Sequence, residues 1–311
     1  MARIETVDQL LFGFTLLSLI FYLIFLGTVS KFRHKYPFTK SFFRICQSIG
    51  VADVLSILHC NFLTKYPRWG LFPSQWFRNN PQGLLVRYSF TSTWYFGYCQ
   101  YAGVACLAFN RFTSLVFPLR HKQLWTNAFC NKVIAFQWLL PIAGVFPLFF
   151  TSVGALNVPE TEGIRADATD MEFYQKYLIG SLGLSLVADL VVGSLFVAML
   201  VAVYRHGRSR QDQQQMTSKA ELALALDGLV VFVAMCLYEL FLAVAARNVG
   251  SFQYFFWSLV TDMFAWFNVY LLFFTSSNLR KHMLLFVCCQ GTVQVDVTTV
   301  APALQPNVAL D

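Results

Sequence analysis

Seven separate stretches of this 311-residue chain are apolar for about twenty residues or more: Leu10 to Val29, Ile45 to Leu63, Val86 to Phe109, Val133 to Leu156, Tyr177 to Val203, Leu222 to Ala246 and Phe252 to Ser276. Crossing the roughly 30 Å hydrocarbon layer takes a helix of about 20 such residues. Together the runs occupy over half the chain, so little remains for any separate soluble module. Residues are 57% hydrophobic and only 13% charged, with a mean hydropathy of +0.54. Soluble domains carry about 25% charged residues, and no soluble fold of this size could bury that much apolar surface. The runs are continuous and rich in Leu, Phe and Val, whereas strands of a membrane barrel alternate over about ten residues. An all-α membrane protein follows, a seven-transmembrane helix bundle with residues 10–281 as its body, residues 1–9 as an outer N-terminus and residues 282–311 as an inner tail.

Orientation follows from Lys and Arg, which concentrate on the cytoplasmic side. Fifteen fall in one set of alternate loops, from Lys31 to Arg44, Arg111 to Lys132, Arg205 to Lys219 and at Arg280 and Lys281. The opposite set holds eight. The N-terminus is therefore expected outside, behind an uncleaved signal anchor, since no small-residue cleavage site follows the first run. The net charge of +7 reflects this topology and anionic inner-leaflet lipids, and does not point to nucleic acid. Between Val158 and Glu172 five acidic residues outnumber the lone Arg165, which predicts an acidic outer loop.

Asn110-Arg111-Phe112 ends the third run, and Phe117-Pro118-Leu119-Arg120-His121 and Trp125 follow it. A permanently charged guanidinium at a membrane boundary is costly unless it snorkels or finds partners, and such residues mark function. Together with Gly50-Val-Ala-Asp53 in the second run and Asn268-Val-Tyr270 with Asn278-Leu-Arg280-Lys281 at the end of the seventh, this block resembles the nematode serpentine chemoreceptors of the gamma superfamily, class V more closely than class gamma. The resemblance extends from the first run to Lys281. It implies a rhodopsin-like chemosensory receptor of the plasma membrane, in sensory cilia, that takes a small-molecule ligand, couples to a heterotrimeric G protein, needs no cofactor and can pair as a homo- or hetero-oligomer.

Several positions depart from the wider rhodopsin-like pattern. Asn110 replaces the acidic residue that usually restrains the Arg, so Glu221 or Asp227 at the start of the sixth run would have to substitute, unless Glu221 is merely a solvated helix start. Asn157 to Lys176 contains no Cys, which excludes the usual disulfide to the third helix. Cys46, Cys60, Cys99, Cys106 and Cys236 fall in the runs; Cys60 and Cys99 are the one pair weighed as a disulfide against two free thiols, and Cys130 is placed in an inner loop. Cys288 and Cys289 behind Arg280-Lys281 suit S-palmitoylation, or are two plain thiols. Val269 stands where the family more often has Pro, which leaves a hinge there open.

Polar residues inside hydrocarbon carry the remaining chemistry. Asp53, Gln100 and Asn268, at similar depth if the bundle aligns as the resemblance implies, would form a hydrogen-bonded cluster, able to hold sodium, that either switches or serves as static glue between helices. Asn110, Arg111, Phe112, Pro118 and Tyr270 complete the expected G-protein switch. Toward the outside, Thr93, Trp94, Gly97 and Tyr98 on the third run, with Trp257, Ser258, Thr261 and Asp262 on the seventh, would line a ligand pocket; Asp189 and Glu239 are further candidates. An unpaired Asp262 would favour a cationic ligand, and an internal partner is the alternative.

Other function classes fare worse. His34, His121, His206 and His282 lie in or beside inner loops, leaving His59 alone within a run, and neither H-E-x-x-H nor G-x-S-x-G occurs. An enzyme is not expected. The seventh run lacks the Lys that a retinal Schiff base needs. An ion or small-solute transporter or channel, lined by Asp53, Asp189, Asp227, Glu239 and Asp262, is the competing reading, although no helix-breaking interruption recurs in two halves.

Overall fold

A computed structural model describes residues 6–35, 38, 40–158, 163–209, 251–288 and parts of the stretch 229–240. Glu221, Asp227 and Cys289 lie outside the described residues.

The first span is the helix Thr6–Lys31, the second Ser41–His59, the third Leu84–Val116, the fourth Asn127–Val145, the fifth Met171–Ser209 and the seventh Ser251–Thr275. The described residues between 229 and 240 are helical and belong to the sixth. Among the described residues four helices are long and apolar enough to cross a membrane, within Leu11–Lys31, Ser41–Arg68, Asn127–Phe150 and Met171–Ala202. The third span does not reach that apolarity, for a structural reason. It runs through the middle of the bundle, so the polar side chains Ser89, Thr91, Ser92, Gln100, Asn110, Arg111 and Thr113 are buried against protein rather than exposed to lipid. The peripheral fourth and fifth spans show the reverse, with Leu139, Ile142, Leu184, Val187 and Leu190 facing outward.

Helix ends depart from the apolar runs where local chemistry intervenes. Thr126 caps the fourth span, its hydroxyl accepting from the Phe129 amide at 3.2 Å, so the helix starts six residues before Val133. Cys130, expected in a loop, is therefore buried in that helix. The same run was expected to stay helical to Leu156. It ends at Val145, passes through a 3-10 turn, Phe146–Phe150, containing Pro147, and continues as a strand. Pro cannot donate to a helix ladder, and run length alone does not separate a buried helix from a strand.

The expected acidic loop is a hairpin. Strand β1, Val153–Val158, pairs antiparallel with β2, Gly163–Ala168, in register Val153 with Ala168 and Val158 with Gly163. It is the one β element among the described residues of an otherwise helical chain. Val153, Ile164 and Ala168 turn inward onto Phe77, Val86 and Phe90 of the third span and its approach. No disulfide holds it, and backbone contacts do that work. Ala155 donates its amide to the Pro81 carbonyl at 2.7 Å. A Cβ at Gly163 would sit 1.8 Å from the Arg68 carbonyl oxygen, so only glycine permits this approach.

At the opposite end, a short amphipathic helix, Ser277–Val287, continues from the seventh span. It folds back on the first: Leu279 and Met283 are buried, and a Cβ at Gly27 would lie 2.6 Å from the Phe286 ring. Cys60 and Cys99 are free thiols, and the seventh helix runs unbroken through the fully buried Val269.

Gly163→Val is expected to lever β2 away from Arg68 and destabilise the hairpin by about 1–3 kcal/mol or more, the usual overpacking cost. Faster proteolysis between Val153 and Ala168 in the detergent-solubilised protein, with the helical signal of circular dichroism retained, is the check.

Candidate functional site

A single buried carboxylate joins three spans. Asp53 on the second is fully enclosed, and its Oδ1 accepts from Gln100 Nε2 of the third at 2.7 Å. Oδ2 lies 2.6 Å from the Tyr22 hydroxyl of the first and 3.4 Å from Asn268 Nδ2 of the seventh. The Tyr22 hydroxyl also reaches the Ala265 carbonyl at 2.5 Å. The structure thus brings Asp53, Gln100 and Asn268 together and adds Tyr22, which the sequence reading missed. A lone Tyr inside a Leu/Phe/Ile run at the depth of Asp53 was the available signal.

A carboxylate offers about four lone-pair directions, and three donors already occupy the carboxyl of Asp53. Among the described residues no three His, Cys, Asp or Glu side chains gather anywhere. The residues fit a closed hydrogen-bonded hub.

From this hub a cavity of about 40 Å³ runs toward Arg111, lined by Tyr22, Gly50, Asp53, Ala108, Arg111 and Asn268. Waters need roughly 10–15 Å³ each by this measure, so a few fit. Arg111 lies inside the third helix, five residues before its end, and is only 8% exposed. Its guanidinium lies 5.0 Å from the Phe42 ring centroid, a cation–π contact that a snorkelling side chain would forgo. Asn110 Nδ2 donates to Ser41 Oγ at 2.9 Å, tying the same turn to the start of the second span. Phe112 meets Phe117 edge-on at 5.9 Å.

Beyond the helix, Pro118 opens a two-turn helix, Pro118–Leu124, at its first position. Thr113 anchors this element: Trp125 Nε1 donates to its hydroxyl at 2.8 Å, and His121 Nδ1 lies 3.1 Å away. Burial and the nearby Lys40 charge push His121 below the usual histidine range. The element presents Leu119, 80% exposed. Tyr270 faces elsewhere, its hydroxyl 3.1 Å from Ser18 Oγ and its ring stacked on Phe21 of the first span.

The hairpin end divides into two groups. Trp94 and Tyr98 stand on one face of the third span, with ring centroids 6.2 Å apart, beside Tyr174 and Tyr177 of the fifth. Tyr98 shares hydrogen bonds with Tyr177 at 2.9 Å and Ser181 at 2.6 Å. Thr93 turns to the second span instead, where its hydroxyl lies 3.0 Å from His59 Nε2. That histidine also contacts the Ser89 carbonyl and the Ser92 hydroxyl, so a polar cluster closes around the His59 that the sequence left unassigned. At Gly97 an added Cβ would meet nothing within 4 Å.

Asp262 is 2% exposed and forms an ion pair with Lys65. Lys65, tallied in the sequence as a loop charge, ends a π-helical turn, Cys60–Lys65, that widens the last turn of the second span. The internal partner is therefore the arrangement found for Asp262. Thr261 precedes it with a buried hydroxyl that has no hydrogen-bond partner. Trp257 and Ser258 lie on the same helix, with side chains outside the described residues. Cys288 is exposed just past the amphipathic helix.

Comparison with known families is decisive at this point: residues 11–289 match the family described as serpentine type 7TM GPCR chemoreceptor Srv. The chain belongs to the Srv family. Serpentine receptor class V-1 of Caenorhabditis elegans is 26% identical over 230 residues, 73% of this chain and 72% of that one. Proteinase-activated receptor 1 of Rattus norvegicus is 20% identical over 248 residues, 71% of this chain but 57% of its own length. An Srv chain is a seven-transmembrane receptor of the GPCR type, and the match resolves class V from class gamma. In this Srv receptor the hub and the Arg111 turn lie at opposite ends of one cavity, and the aromatic cluster and the Asp262–Lys65 pair lie nearer the hairpin.

Tyr22→Phe and Asp53→Ala are expected to be coupled in thermal unfolding of the solubilised receptor by about 0.5–2 kcal/mol, as contacting residues usually are. Additive losses across that double-mutant cycle would show that hydroxyl and carboxyl act apart.

Proposed function

We propose that this Srv receptor is a chemosensory receptor of the plasma membrane that binds a small molecule in the hairpin half of the bundle and activates a heterotrimeric G protein at the Arg111 end. The orientation that goes with this reading puts the N-terminus and the hairpin outside and the basic loops inside, following the distribution of Lys and Arg. Sensory cilia are the corresponding site of action. The observation that carries the proposal is the guanidinium of Arg111, buried at the rim of a cavity that leads back to Asp53.

Three features support it. A charge inside a membrane bundle is expensive, and its retention beside an aromatic ring suits a group that is covered in one state and offered to a partner in another. The Pro118–Leu124 helix, which follows the third span, presents an exposed Leu119 beside Arg120 and Lys122 in sequence. The Asp53 hub ties the first, second, third and seventh spans, so any ligand that shifts one of them strains contacts to the others. Rearrangement of that hub is the proposed link between the two ends, with Asn110, Phe112, Pro118 and Asn268 in support and Glu221 or Asp227 as the resting partner of Arg111. Thr93, Trp94, Gly97, Tyr98, Trp257, Ser258, Thr261 and Asp262 line or brace the ligand side. Acylation of Cys288 and Cys289 would pin the amphipathic helix to the inner leaflet.

Arg111→Ala in cells carrying a promiscuous Gα is expected to lower nucleotide exchange by about tenfold or more at unchanged surface expression, within the usual range of allosteric coupling. Unaltered exchange would refute the proposal. Solute flux or conductance from the purified chain in liposomes without a G protein would instead establish the transporter or channel reading.

A further inference from the structure

With Asp262 paired to Lys65 and the carboxyl of Asp53 held by three hydrogen-bond donors, the bundle retains one pair of buried acids, Asp189 and Glu239, with oxygens that meet neither a cation nor a donor among the described residues. Asp189 on the fifth span is 5% exposed, and neither of its carboxyl oxygens has a hydrogen-bond partner. Glu239 on the sixth is 3% exposed and close enough for the two carboxyls to repel each other. Tyr101 of the third span donates to Glu239 Oε1 at 2.8 Å, whereas Oε2 has no partner. Three acceptor oxygens are thus left over in a medium where such groups are normally paired.

The surroundings form a built recess. Ser181, Ser185 and Asp189 recur every four residues, so they share one face of the fifth span, and all three are buried. Ser181 fixes the direction of that face, because its hydroxyl bonds Tyr98 of the third span. Ser185 adjoins Glu239. Gly97 lies one turn from Tyr101 toward the hairpin, on the same face, with clear space where a side chain would stand. Trp94 and Tyr98 continue the aromatic wall beyond it.

We propose that Asp189 and Glu239 seat a small organic cation, a primary amine in its ammonium form, whose frame extends past Gly97 along Tyr98 and Trp94. This rests on the receptor reading above and names its ligand class. An ammonium brings three N–H donors, which matches the three orphaned oxygens in number, and its single positive charge lies between the two carboxyls and offsets one of them. Phenol and indole rings bind such cations on their faces. A metal ion fits less well, since a site of three or more His, Cys, Asp or Glu ligands is absent among the described residues.

The test uses the full chain purified into lipid nanodiscs, with phenethylamine, tyramine, butylamine and cadaverine as probes and 2-phenylethanol as the uncharged counterpart of the first. At least one amine is expected to raise the unfolding temperature saturably, and 2-phenylethanol is not. Asp189→Asn and Glu239→Gln should each weaken that amine by about tenfold or more. Asp189→Asn should also raise the unfolding temperature of the amine-free protein, because it removes an unneutralised buried charge at constant shape. Four silent amines, an equal response to 2-phenylethanol, or an Asp189→Asn protein that is less stable without amine and binds as before with it would each overturn the proposal. The last outcome would show that the two carboxyls satisfy each other by sharing a proton.

Nucleotide exchange on a G protein, measured on the same samples, separates the two proposals. Basal exchange that Arg111→Ala abolishes, together with silent amines, sinks the amine site and leaves the receptor reading intact. Amines that stabilise the protein yet never alter exchange sink the receptor reading and leave the amine site standing.

Discussion

Asp53 is the group on which the arrangement of this bundle depends. Within a bilayer no water is at hand to solvate a carboxyl, so its partners must come from protein. Here they come from the first, third and seventh spans at once, through Tyr22, Gln100 and Asn268. Apolar packing alone would leave helices free to slide and rotate, because lipid tails are as apolar as Leu and give no hydrophobic preference for protein neighbours. Directional hydrogen bonds to one buried atom pair remove that freedom. The surrounding apolar cluster, with Tyr22, Phe25, Val269 and Leu272, then packs in the register the hub dictates.

Similar polar ties recur wherever spans meet. Ser48 donates to Gln137 at 2.8 Å and accepts from Trp138 at 2.9 Å, joining the second and fourth spans at mid-depth. Arg44 reaches Asn127 and Asn131 where the same two helices approach the Arg111 end. His59 links the second span to Ser89, Ser92 and Thr93 of the third. The second span takes part in every one of these ties, and the third, through Gln100, Ser89, Ser92 and Thr93, in those around Asp53 and His59, in keeping with its low apolarity. The third has least contact with lipid and most with protein, so its sequence carries the polar groups that specify neighbours.

The two ends of the molecule solve different problems. At the hairpin end, a β-ribbon replaces the disulfide common among related receptors, and glycine at 163 lets two backbones meet where a side chain would separate them. This cap sits over the aromatic cluster of Trp94, Tyr98, Tyr174 and Tyr177. At the other end, the amphipathic helix locks against the first span through Phe286 and Gly27, and the Pro118–Leu124 element is braced on Thr113. Both leave Arg111 at the rim of the cavity rather than sealed away from it.

Much of this was legible in the chain. Seven apolar runs of membrane-crossing length dictate helices, because only a helix satisfies its own backbone in hydrocarbon, and the Asn110-Arg111-Phe112 block marks one end of the bundle. Asp53, Gln100 and Asn268 could be grouped by depth, since polar residues in a membrane seek one another. Other features were beyond reach of any reading of spacing. Lys65 is informative only once rotation about its helix axis is known, and a π turn alters that rotation by a residue. The hairpin was hidden in an apolar run whose length fitted a helix as well as a strand. Which buried acid has a cation, Asp262, and which has none, Asp189, depends on contacts between residues far apart in sequence. Composition and periodicity determine which groups must leave lipid; only the packed bundle decides which of them meet.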